Sequence, residues 1–339
     1  MMKKALKAAG SSWGQRITIL VIICIIMAIF QPVFLKATNA RSILLAISIN
    51  GIMACGMMFT VLVGGLDLSI GSMAGMSASL TYSVAGYFDY STAGFFAGCL
   101  VTLVFCLIVG WINGLFVTKL DVPPFVVTMA MKYLVYGGIY MVTKGFFIYP
   151  PSRGIVSAVG NFNVLSIPMP VIIFAVVVII SAFVLGKTSY GRKLYIIGGN
   201  RKVANLVGIK ADLNIQGAYM ISSVAAGLGG IILGSMTGQI GQTTGGGYEG
   251  NVLTAMVVGG INLAGGEGGV AGAVFGALFV GVINNVMLLL SIGSDYQTSV
   301  QGVIIVGAMA LNMFADRRSK GLSGGGRRKV RGKSENAAA

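Results

Sequence analysis

The chain has 339 residues, 55% of them hydrophobic and 10% charged, and a mean hydropathy of +0.87. A water-soluble fold carries about 25% charged residues, so this composition excludes a soluble globular protein and points to a polytopic membrane protein. The formal charge of +15 lies mostly in three basic clusters that flank apolar stretches and mostly lack stacking aromatics, which argues against a nucleic-acid groove.

The basic start (Lys3, Lys4, Lys7, Arg16) precedes an apolar run over about 17–36. That run is too long for a signal-peptide core and has no small-x-small cleavage site, so it reads as a retained first helix. Nine further apolar segments follow, at about 42–63, 70–88, 93–118, 124–143, 169–186, 213–236, 250–263, 268–290 and 298–315. A spanning helix needs about 20 residues; 70–88 is only weakly apolar, and 250–263 is short and broken by glycine. Ten crossings place the basic N-terminus, the Lys187–Lys210 cluster and the basic C-terminus on one side, the cytoplasmic one by the positive-inside rule. Lys36 and Arg41 then lie outside, as do the loops 144–168 and 237–249. Residues 1–316 form the transmembrane domain, and 317–339 read as a disordered basic tail. Gly268, Gly272 and Gly276 repeat the spacing of small residues that lets helices approach closely in lipid.

No histidine is present, which removes the commonest general base and metal ligand. Cys24, Cys55, Cys99 and Cys106 lie in apolar stretches without metal or redox spacing and read as small hydrophobes. Neither a metal nor a cofactor is expected. "SAFVLGKT" (181–188) misses the first glycine of a P-loop and ends a membrane helix where a strand is required. "GGGYEG" (245–250) has the dinucleotide glycine spacing but no βαβ unit around it. Nothing supports an enzyme, so energy for uphill transport must come from an ion gradient or from another subunit.

"VGGLDLSIGS" (63–72) interrupts an apolar stretch with an acid, and a charge within a span costs about 2.5–3.5 kcal/mol. Irregular backbone at membrane depth is tolerated where protein or a water-filled cavity surrounds it. Asp67 therefore either supports a break that lines a path, by hydrogen bonds to freed amides, or closes a tight turn on the cytoplasmic side. Lys132 and Glu249 are the other ionisable candidates in or near the spans. "VGGINLA" (258–264) weakly echoes "VGGLDLS" (63–69). In "GGNRKVANLVGIK" (198–210), Asn200 is an N-cap, Val203, Leu206 and Val207 form an apolar stripe, and Gly208 is a stop. A helix of two turns is marginal alone in water, so this basic, ridged helix reads as a docking element for a cytoplasmic partner.

"GGLDLSIGS" (64–72), "GGNRKVANLVGIK" (198–210), "GYEGNVLTAMVVGGINLAGGEGGVAGAVFGALFVGVINN" (247–285) and "VQGVIIVGAMALNMF" (300–314) resemble the permease subunits of monosaccharide ABC importers of the ribose, galactose, xylose and arabinose type. The resemblance implies an all-α permease of ten transmembrane helices in the inner membrane, with both termini cytoplasmic and a broken second helix. It implies partners too: a second, identical or different permease, two cytoplasmic ATP-binding subunits, and an extracytoplasmic sugar-binding protein. Gly64, Gly65, Asp67, Ser69, Glu249 and Asn262 are then expected at the path or gate, with Glu249 near its outer mouth. Asn200, Arg201, Lys202, Val203, Leu206, Val207 and Gly208 are expected to form the ATPase-coupling helix. A receptor that selects the sugar outside leaves the permease no need of a tight site, in keeping with spans poor in groups for sugar recognition. The alternatives are a branched-chain amino acid ABC permease and an ion-coupled secondary transporter using Asp67.

Overall fold

The computed structural model describes residues 12–293, 296–307 and 310. The basic N-terminal residues before Ser12, the end of the last apolar segment and the 317–339 tail lie outside the described residues. In chain order the elements are α1 (Ser12–Phe30), a 3-10 turn (Pro32–Leu35), α2 (Ala37–Leu62), α3 (Ile70–Gly86), α4 (Thr92–Lys119), α5 (Pro124–Thr143) and α6 (Gly154–Asn161). A two-residue-per-strand hairpin, β1 (Asn163–Val164) and β2 (Ile167–Pro168), leads to α7 (Met169–Lys187), α8 (Ser189–Gly199), α9 (Arg201–Leu206), α10 (Ala211–Thr237), α11 (Tyr248–Val258) and α12 (Val270–Leu289). Residues 296–307 are helical as well.

This is an all-α membrane protein. Among the described residues, six helices are long and apolar enough to cross a bilayer: α2, α4, α5, α7, α10 and α12. The apolar segments 70–88 and 250–263 fall short of spanning as helices. α3 has 17 residues and α11 has 11, which at 1.5 Å per residue reach about 25 Å and 16 Å against a hydrocarbon core of about 30 Å. Each is preceded by glycine-bearing irregular chain, 63–69 before α3 and 238–247 before α11.

α10 is the axis of the bundle, and the contacts along it set the direction of its neighbours. Gly56 of α2 lies on Ser222 and Ala225, and Met53 on Gly229, so α2 runs antiparallel to α10. Gly230 meets Ala74 and Gly234 meets Ala78, so α3 runs parallel to it. A side chain at Gly230 would overlap the Ala74 carbonyl; without one, the two backbones pack directly, as small residues permit in lipid. On the far side, Gly272 and Gly276 of α12 lie against the backbone of Gly259 and Ala255.

The two ends of α10 are about 40 Å apart by helix rise. At the Ala211 end gather α8, α9 and the turn 259–269; the Gly266 amide donates to the Leu62 carbonyl at 2.9 Å. At the Thr237 end, Ile148 and Ile240 form an antiparallel bridge that joins the two long loops. Arg41 lies with that second end, donating to Asn163 Oδ1 at 3.3 Å.

Candidate functional site

The site begins where α2 stops. Gly64 takes φ +76, a conformation glycine adopts without steric cost, and the Gly65 amide closes back on the Thr60 carbonyl at 2.9 Å. Five residues later the chain is helical again. Asp67 lies in this interval and is fully buried. Its Oδ1 accepts from the Ser69 amide at 3.0 Å and from the Ser69 hydroxyl, and its Oδ2 accepts from Ser222 Oγ of α10 at 2.7 Å. Asn113 of α4 donates to Ser69 Oγ at 3.3 Å, and Thr128 of α5 donates to the Leu66 carbonyl at 3.2 Å. One backbone amide and two hydroxyls thus hold the carboxylate next to the N-terminus of α3, where the helix dipole favours negative charge. The interval is tied to α4, α5 and α10 at once.

A second interruption faces the first. The segment 238–247 leaves α10 without helix and lies along α3: a side chain at Gly71 would overlap Glu249 Oε2 and the Gly245 carbonyl region, and one at Gly75 would overlap the Thr244 carbonyl. α11 starts there, so the first turns of α3 and α11 meet inside the bundle. Glu249, in the first turn of α11, pairs with Lys132 Nζ at 2.6 Å. Lys132 is the ninth residue of the 20-residue α5, and the two side chains are only 19% and 16% exposed. Direct contact makes both charges tolerable at that depth. Lys132 and Glu249 are 117 residues apart; the only signal for their pairing in the sequence is that a charge within a span requires a partner.

Asn262 lies elsewhere, in the exposed turn after α11 at the Ala211 end of the bundle. Its Oδ1 accepts from the Ala264 amide at 3.0 Å, the same two-residue hydrogen bond that Asp67 makes with Ser69. Gly64 and Gly260 share φ +76, and Gly64 sits against the Ala264 carbonyl. The "VGGLDLS" and "VGGINLA" segments are therefore similar turns that touch. Gly64 and Gly65 also line a cavity of about 250 Å³ with Asp121 and Arg201. Of the path or gate candidates, Asp67 and Ser69 are buried together, Glu249 joins Lys132, and Asn262 stands with Gly64 and Gly65.

The Asn200 cap forms: its Oδ1 accepts from the Lys202 and Val203 amides at 3.0 and 3.1 Å. Gly208 takes φ +81 and ends the element. The helix proper has six residues, Arg201 to Leu206, about two turns at 3.6 residues per turn, and the Ile209 amide closes on the Ala204 carbonyl beyond it. Ala204 is buried, whereas Val203, Leu206 and Val207 are 50%, 86% and 66% exposed. Arg201 points inward. It donates to Asp212 of α10 at 2.9 Å and to the Thr118 carbonyl of α4 at 3.1 Å, and lies 3.6 Å from Asp121. The role of Arg201 in tying the short helix to α4 and α10 is absent from its local pattern, which marks it only as one of a basic cluster.

Residues 39–309 match the family described as branched-chain amino acid transport system / permease component. The chain is 34% identical over 306 residues to the ribose import permease protein of Bacillus subtilis strain 168, covering 86% of this chain and 90% of that protein. It is 31% identical to the L-arabinose transport system permease protein of Escherichia coli K12 (92% and 94% covered), and 30% identical to the D-allose transport system permease protein of the same strain (87% and 91%). No solved structure matches. With six span-length apolar helices among its described residues and similarity to sugar import permeases over nearly its whole length, the chain belongs to this family of ABC importer permeases, beside the monosaccharide permeases, and is a multi-pass protein of the inner membrane.

Proposed function

We propose that this chain forms, with a second permease subunit, the membrane path of an importer for a monosaccharide delivered by an extracytoplasmic binding protein and driven by separate cytoplasmic ATPases. The observation that carries the reading is the exposed Val203–Leu206–Val207 ridge on a short capped helix clamped to α10 by Arg201 and Asp212. An apolar ridge on a projecting element calls for a groove to enter, and an ATPase groove fits it. The Ala211 end of α10 is then cytoplasmic, as are both termini. Residues 1–316 form the permease domain, and the 317–339 tail extends into the cytoplasm. Counted with α1, the two interrupted segments, 63–86 and 238–258, and the helical residues at 296–307, the chain makes ten crossings, the second helix being broken at Gly64.

The proposed mechanism follows a continuous set of contacts. Displacement of the Asn200–Gly208 element pulls on Asp212 through Arg201. α10 carries the motion to Ser222, and Ser222 holds Asp67, which anchors the break before α3. The first turn of α3 bears on Glu249, held in turn by Lys132. The two interrupted helices thus change relation when the ATPases close, and the path changes the side to which it opens. ATP supplies the bias because it binds the closed ATPases more tightly. Gly64, Gly65, Asp67, Ser69, Glu249 and Asn262 act as the supports and hinges of this gate, and no group in the chain performs chemistry on the sugar.

The test is co-purification from native membranes. An ATPase retained by the wild type and lost with Leu206→Asp supports the reading. Absence of any ATPase from both leaves the ion-coupled alternative, with Asp67 as carrier, in its place.

A further inference from the structure

At the Thr237 end of α10 lies a cavity of about 380 Å³, lined chiefly by Phe147, Thr237, Gln239, Thr243, Thr244 and Tyr248. The size falls in the range of small-molecule sites, about 300–1,000 Å³. We propose that this cavity is a low-affinity monosaccharide site at the outer end of the path, built from the re-entrant loop 238–247. The inference rests on the importer reading above, which supplies the sugar and assigns this end to the outside.

Three observations carry it. The first is the chemical make-up of the lining, which joins two aromatic rings to hydroxyls and a carboxamide and includes no charged side chain. A sugar ring presents a face of C–H bonds made slightly positive by neighbouring oxygens, which the negative face of an aromatic ring attracts. Each sugar hydroxyl both donates and accepts, and so do threonine hydroxyls and the glutamine carboxamide. A zwitterionic amino acid entering the same space finds no counter-charge for its ammonium or carboxylate, and desolvating those groups unpaired is costly. The nearest ion pair, Lys132 with Glu249, is already spent on itself.

The second observation is which polar groups are free. Thr237 Oγ1 donates to the Leu233 and Gln239 carbonyls, and Thr244 Oγ1 accepts from the Gly241 amide at 2.9 Å, so these two shape the loop. The Gln239 carboxamide and the hydroxyls of Thr243 and Tyr248 have no hydrogen-bond partner among the described residues. Three polar groups of the right kind therefore remain available beside the aromatic rings.

The third is position. Phe147 is brought to the cavity by the Ile148–Ile240 bridge, with amide-to-carbonyl bonds of 2.8 and 3.0 Å, and its ring packs on Gly241. The lining glycines Gly245 and Gly246 belong to the stretch that rests on α3 at Gly71 and Gly75. A sugar held here stands directly over the meeting point of α3 and α11, and reaches the gate next.

Two measurements on the permease–ATPase complex in lipid nanodiscs and proteoliposomes test the proposal. Saturation-transfer NMR with D-ribose, L-arabinose, D-allose and L-leucine, without binding protein, should give signal for at least one sugar and none for leucine. Gln239→Leu and Thr243→Val, which leave the loop-shaping bonds in place, should reduce that signal about fivefold, in line with loss of one hydrogen bond. Uptake from sugar-loaded binding protein with ATP should fall about fivefold in Phe147→Ala and recover in Phe147→Trp, which restores an aromatic face. Absence of sugar signal in the wild type, or signal unchanged in both polar variants, overturns the site. Wild-type complex that takes up none of the three sugars with ATP and binding protein overturns the importer reading instead, and the NMR result still decides the site.

Discussion

The two interruptions of the bundle, 63–69 and 238–249, each put an acid at the start of a short helix, yet they treat it differently. Asp67 is sealed, with no exposed surface, and its partners are neutral: an amide and two hydroxyls, one of them on the central helix. Glu249 is paired with a lysine, and its Oε2 is buried without a partner. A carboxylate satisfied on both oxygens by fixed neutral donors behaves as a structural tie, while an ion pair with one unsatisfied oxygen is the arrangement that tolerates rearrangement. In the proposed mechanism the first junction transmits displacement and the second responds to it.

That contrast can be broken most severely at Asp67. Asp67→Ala leaves the Ser69 amide and hydroxyl and the Ser222 hydroxyl without their acceptor and removes three hydrogen bonds to a charged group, worth about 1.5 kcal/mol or more each. We expect a loss of about 4 kcal/mol, read as failure to recover a monodisperse protein in detergent. At the second junction, Lys132→Met strands Glu249 and should cost about 3 kcal/mol, seen as a lower thermal midpoint. The double variant Lys132→Met/Glu249→Leu should regain most of that stability while losing uptake, whereas no second substitution rescues Asp67→Ala. If the double variant transports normally, the responsive role assigned to the second junction is wrong.

Smaller effects sharpen the comparison. Gly71→Ala presses a methyl into Glu249 and the Gly245 backbone at the point where the two junctions meet; overpacking of this kind costs about 1–3 kcal/mol. Uptake should fall more than stability, because the contact must slide. Asn200→Ala removes a cap worth about 1 kcal/mol. It should leave the thermal midpoint of the bundle unchanged and weaken ATPase co-purification, a measurement that separates local order of the short helix from the fold.

Much of this was legible from local pattern. The Asn200 cap and Gly208 stop follow from the intrinsic preferences of those residues, and the exposed ridge from the spacing of Val203, Leu206 and Val207. The weak segments 70–88 and 250–263 are short helices because glycine breaks sit beside them. The end of the 200–208 helix is local as well: with Gly208 at φ +81, the Ile209 amide reaches back to the Ala204 carbonyl. The cavity at the Thr237 end is absent from local pattern because Phe147 and Tyr248 are far apart in the chain and the Ile148–Ile240 bridge brings their loops together.

The sequence by itself determined the solvent and the class: too few charges to face water, and apolar stretches of membrane length with basic clusters beside them. Those are properties of composition and of neighbours along the chain, and they need no contact between distant residues. Only the tertiary structure decided that Asp67 would meet Ser222, that Lys132 would meet Glu249, and that Arg201 would turn inward to Asp212. A buried charge demands a partner, but the demand does not name one; the close packing of glycine-faced helices around α10 made the choice.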